Sequence, residues 1–166
     1  MLLCGESYIQ CADKLLDLTE MEEIDGRKKL KLRFDSPIWF LIGHSYELIY
    51  KAVLLAAGTA REDLKSNGHD LIELRNAALE PTLVGFEEQV QRDWVASNPQ
   101  HAGITLEDQL ALLNEEFGKA PCLHRYPQSG FVRRPIAGFL TRAALKLSNA
   151  CQPYCFEAYK AARSEA

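Results

Sequence analysis

Between Pro37 and Ala57 the chain offers apolar side chains in every direction a helix can point. Trp39, Phe40, Leu41, Ile42, Leu48, Ile49, Val53, Leu54 and Leu55 spread around the whole circumference. A helix that is apolar on all sides needs neighbours on several faces, so this stretch is predicted to be the central rod of an all-helical protein. Asp35-Ser36-Pro37 reads as its start, with Ser36 as cap and Pro37 in the first turn. Gly58 reads as its end.

Only His44, Glu47 and Lys51 are His, acidic or basic within that rod. At about 100° per residue they fall inside an arc of roughly 60°. Glu47 and Lys51 also stand four apart in the order that favours an ion pair. Charges on an otherwise buried helix must be paired or must face a groove, because a lone buried charge is very costly. The natural partners are His69 and Asp70, which open the next helix of an antiparallel hairpin after a loop of about ten residues. The expectation is a local network of His44, Glu47, Lys51, His69 and Asp70. Its plainer reading is a lock that fixes how two helices dock. Its sharper reading is a ligand-binding or catalytic groove. A metal site fits poorly, since Lys51 would repel a cation.

The rest of the chain is punctuated like a bundle. Leu3, Ile9, Ala12, Leu15 and Leu16 mark a first helix from Leu2 to about Leu18. Asn67 is the expected cap of the helix carrying Leu71, Leu74 and Ala78, with the Asp70 carboxylate near its positive end. Pro81 starts another helix, which Ser97-Asn98-Pro99 breaks at about Ala96. Thr105 caps a helix from Leu106 to Phe117. The stretch from Lys119 to Pro135 is loop-like, and two final helices are expected, from about Ile136 to Leu147 and from about Tyr154 to Arg163. No segment alternates convincingly as a strand, and the region from Glu20 to Arg33 reads as a loop or a short solvated helix. The predicted architecture is an all-α, up-and-down bundle of four to five main helices with short extra ones, in a single domain over residues 1–166.

Apolar residues at 47% and charged residues at 25% suit a folded, soluble domain. A net charge of −4 means that any nucleic-acid binding must use a local basic patch. No apolar run approaches a membrane span of about 18 residues, and the apolar start at Met1–Cys4 is too short for a signal peptide. The expected location is the cytoplasm, with no membrane partner. Cys4, Cys11, Cys122, Cys151 and Cys155 form no C-x-x-C pair and are expected to be reduced thiols packed in a helical core. No glycine-rich phosphate loop, zinc-spaced His/Cys set or nucleophile motif occurs, so no cofactor and no metal are expected.

The polar residues of the central hairpin carry a family likeness. His44-Ser-Tyr-Glu47-Leu-Ile-Tyr-Lys51-Ala-Val-Leu-Leu55, a gap containing glycine, then Gly68-His69-Asp70-Leu71 followed by Leu74, resembles the central hairpin of HEPN proteins. The match covers about forty residues, from Trp39 to Ala78. The resemblance implies a helical bundle, often a homodimer. It also implies a role in a toxin–antitoxin or defence system, either as a non-catalytic partner of a nucleotidyltransferase-like protein or as a binder of nucleotide or RNA. Other members are ribonucleases that use an Arg, four to six residues, then a His late in the bundle. This sequence departs from that pattern: seven residues separate Arg61 from His69, and eight separate Arg92 from His101 across the Ser-Asn-Pro break. The expectation therefore leans to a non-catalytic module, with a divergent metal-independent endoribonuclease as the alternative. In that alternative His69 or His44 moves the proton, and Arg125 or Arg133 holds the phosphate.

Two basic patches remain. Arg27, Lys28, Lys29, Lys31 and Arg33 put five positive charges in seven residues, directly after an acidic run that can balance them. Arg125, Tyr126, Arg133 and Arg134 are the second candidate for phosphate, with aromatic rings beside guanidiniums, against the plainer reading of a surface loop.

Overall fold

In a computed structural model the chain is described at residues 1–18, 21–24, 27–30, 35–66, 68–78, 81–117 and 135–164. Among the described residues seven helices follow in order: α1 (Leu2–Asp17), α2 (Asp35–Ala56), α3 (Arg61–Ser66), α4 (Leu71–Ala78), α5 (Pro81–Ser97), α6 (Leu106–Phe117) and α7 (Ala137–Ser164). A 3-10 turn at Pro99–His101 links α5 to α6. The fold is an all-α bundle, as the apolar periodicity predicts, and five of the helices run to 12 residues or more.

Its centre is α2. Ile38, Ile42, Tyr46, Ile49 and Tyr50 are almost wholly buried, and α2 packs against α1, α3, α4, α6 and α7. Pro37–Ala56 is long and apolar enough to cross a membrane by length and composition, at a mean hydropathy of 1.2, contrary to the sequence expectation. Because 67% of that stretch is buried in the bundle, neighbouring helices take its apolar surface. Two hydrogen bonds tie the rod to its flanks. Ser45 Oγ donates to the Gly5 carbonyl at 2.8 Å, and Tyr46 Oη to the Leu140 carbonyl at 2.9 Å. The first is allowed by Gly5 itself: a Cβ there would stand 3.2 Å from the Ser45 carbonyl oxygen and 3.3 Å from Leu48 and Ile49 atoms. α2 ends in a Schellman turn, with Gly58 at φ 91° and the Thr59 N–H reaching back to Leu54.

Three expectations need correction. The region after α1 contains a small antiparallel hairpin, β1 (Met21–Ile24) paired with β2 (Arg27–Leu30). Its register pairs Glu22 with Lys29 and Glu23 with Lys28. The two expected C-terminal helices are one, because Phe139, Leu140, Ala143, Ala144, Leu147 and Cys151 form a continuous buried stripe. Pro153 lies inside that helix on its exposed side, where water can take the carbonyl it leaves unbonded. The cysteines divide. Cys151 is buried and Cys155 half-buried, and desolvation pushes the Cys151 thiol up to about 12. Cys4 and Cys11 are exposed, since the buried face of α1 is Leu2, Gly5, Ile9 and Ala12. Cys122 lies outside the described residues.

Candidate functional site

The charged stripe of α2 meets the turn that leads into α4. Gly68, at φ 57°, makes that turn and presents its carbonyl and His69 to α2. Glu47, 4% exposed, is the hub. Its Oε2 takes His69 Nδ1 at 2.9 Å and His44 Nδ1 at 3.3 Å, while Oε1 accepts from Lys51 Nζ at 2.7 Å. Lys51 also donates to the Gly68 carbonyl at 2.9 Å. Lys51 is therefore both an ion-pair partner and a clasp that holds the turn against α2.

Burial by itself raises the Glu47 carboxyl's pKa. The hydrogen bonds from His44, Lys51 and His69 outweigh it and bring the group down to about 2. An ionised carboxylate accepts only, so in both contacts the imidazole donates through Nδ1. The arrangement is layered. The Glu47 and Lys51 side chains are 5% and 13% exposed, whereas those of His44 and His69 are 26% and 47% exposed. A buried carboxylate thus orients two imidazoles at the rim, which suits them to bind a polar ligand or to pass a proton.

His44 also sits among rings. Tyr8 of α1 meets it edge-on at 4.8 Å between centroids, and Phe40, one turn earlier on α2, stacks on it at 5.7 Å. Phe40 is 39% exposed, although its place in the apolar rod suggested core. The spacing of Phe40 and His44, four apart on one helix, was the available signal for this pair.

Of the five residues expected in the network, four converge and Asp70 does not. Asp70 Oδ1 accepts from the backbone N–H groups of Ile72 and Glu73 and from Asn114 Nδ2 of α6. It is the N-cap of α4, the part expected of Asn67, which lies outside the described residues. Arg125, Tyr126, Arg133 and Arg134 also lie outside them. Among the described residues no group of three His, Cys, Asp or Glu is placed to hold a metal ion. One buried pair was not foreseen: Arg75 of α4 grips Glu87 of α5 through three hydrogen bonds of 2.6–3.0 Å.

Fold and network together define a helical bundle with a polar clasp between two helices of its core. Compared with known proteins, the chain matches no family model, no curated protein and no solved structure.

Proposed function

We propose that the chain is a non-catalytic HEPN-like module of the cytoplasm, acting as a homodimer in a toxin–antitoxin or defence setting. It binds a protein partner, nucleotide or RNA in the groove beside His44, Glu47, Lys51 and His69. The observation that carries the reading is the convergence of two rim imidazoles on one buried carboxylate, beside the rings of Tyr8 and Phe40. Among the three ligands, the rings favour one that carries a base, because a base can stack where a phosphate cannot. The likeness of the His44–Leu55 and Gly68–Leu71 segments to HEPN hairpins supports the family, and a nucleotidyltransferase-like protein is the partner it suggests.

The second reading is a divergent endoribonuclease. It is favoured by the pair of carboxylate-held imidazoles, which is a competent acid–base arrangement. One experiment separates the two. Purified chain is incubated with a mixed-sequence RNA oligomer, and cleavage and retention are both followed. The module retains RNA without cutting it, and Phe40→Ala and His69→Ala each weaken retention. Cleavage abolished by His69→Ala would replace the first reading with the second. Retention and integrity unaffected by either substitution would sink both.

A further inference from the structure

A second group of polar side chains lies between α5 and α7, away from the clasp around Glu47. Asp93, Trp94 and Ser97 of α5 face Phe139, Arg142 and Lys146 of α7 across a cavity of about 140 Å³. The Arg142 guanidinium lies over the Trp94 ring at 5.4 Å from its centroid, and the Phe139 ring packs near the same indole, with centroids 5.2 Å apart. A guanidinium held over an indole in this way keeps N–H groups to donate elsewhere.

The donors and acceptors of this cleft are unequal. Its acceptor, Asp93, is already engaged: Oδ1 accepts from Gln89 Nε2 at 2.8 Å, and Oδ2 is held by Lys146. Ser97 Oγ donates to the Asp93 carbonyl at 3.2 Å. On the donor side, Arg142 makes no ion pair among the described residues, and Trp94 Nε1 is buried without an acceptor. Trp, Arg and Lys side chains donate only. Among the described residues, with Lys146 paired to Asp93, Arg142 is the charge of the cleft without a counter-ion.

We propose that this cleft is a site for a small tetrahedral oxyanion, inorganic phosphate. The charge calls for an anion, and the surplus of N–H donors calls for several acceptor atoms on it. The cavity, about 140 Å³, has room for a group of five non-hydrogen atoms. The guanidinium meets two oxygens of the anion in a bidentate pair, and the Lys146 ammonium, shared with Asp93, reaches a third.

Trp94 supplies the readout. The intact chain is titrated with inorganic phosphate at constant ionic strength and near-neutral pH while tryptophan fluorescence is followed. A saturable change is expected, absent in Trp94→Phe, which keeps Trp39 as the remaining emitter. Arg142→Gln, on an exposed position, is expected to retain the helical signal and to weaken phosphate at least tenfold. Lys146→Gln is expected to weaken it by less, and acetate is expected to give no saturable change at matched concentration. The proposal is overturned by a flat phosphate titration, by Arg142→Gln titrating like the unaltered chain, or by acetate matching phosphate.

Discussion

Glu47 is a carboxylate almost out of water that stays ionised, because three donors converge on its two oxygens. Its pKa falls from an unfolded value of about 4.3 to about 2, a difference worth about 3 kcal/mol of stability. The sign follows from proton counting. Between those values the unfolded chain holds the proton and the folded one does not, so acid favours unfolding. The contribution is complete above about pH 5 and is lost as pH falls toward about 2. Glu47→Gln leaves the half-buried Lys51 ammonium with an amide in place of its counter-charge, and is expected to cost about 2–4 kcal/mol at pH 7. Urea unfolding of both forms from pH 7 down to pH 2 checks this: the gap should narrow steadily below about pH 5. A gap that stays constant across the series would mean that the carboxylate's charge is not what holds the clasp.

Among the helices, α4 is the least able to stand alone. At 8 residues it is below the length that persists in water, so its cap and its contacts decide whether it forms. Asp70→Ala removes two backbone N–H partners and the acceptor for Asn114. The expected loss is about 1–2 kcal/mol by urea unfolding, with Asp70→Asn recovering much of it. At the other end, α7 beyond Cys151 is largely exposed and carries Pro153. Pro153→Ala restores a missing helical hydrogen bond, so far-UV ellipticity should rise. Global stability should change little, because Tyr154, Phe156 and Tyr159 remain in water. The ends of most helices were readable in advance for local reasons. Gly58, Pro81, Ser97-Asn98-Pro99 and Thr105 each dictate backbone near their own position, and Thr105 does cap α6 by accepting from the Asp108 N–H; α2, by contrast, begins at Asp35, so Ser36 lies in its first turn and not at its cap. The angular arc of His44, Glu47 and Lys51 was equally local, and His69 followed because a short loop must bring the next helix back. What escaped depended on packing between elements. Arg75 and Glu87 meet only once α4 and α5 are docked, and nothing in their spacing announces it. Asp70 could serve the clasp or the cap, and only the position of Asn114 on α6 shows which. The hairpin is a different failure. Asp25-Gly26 between two four-residue runs is a strong turn signal, but charged strands without apolar alternation hid it.

For the molecule as one cooperative unit, the position of α2 sets an order of opening. It touches five other helices, whereas among the described residues β1 and β2 lie chiefly against each other and the last turns of α7 face water. Amides of α2 can therefore exchange with solvent only when the whole bundle opens, while those of the hairpin and of the α7 tail open by local fraying. Native-state hydrogen exchange should place Ile42–Val53 in the slowest class and residues 154–164 in the fastest. Glu47→Gln then acts as a probe of the coupling. It should lower the protection of α2 by the full loss measured in urea, because both report the same global transition. It should leave the α7 tail as it was, because fraying there breaks no contact with the clasp. Equal acceleration at both places would mean that the tail is part of the cooperative core despite its exposure. Acceleration confined to His44–Lys51 would mean that the clasp opens on its own, so that a ligand could enter the groove without unfolding the bundle.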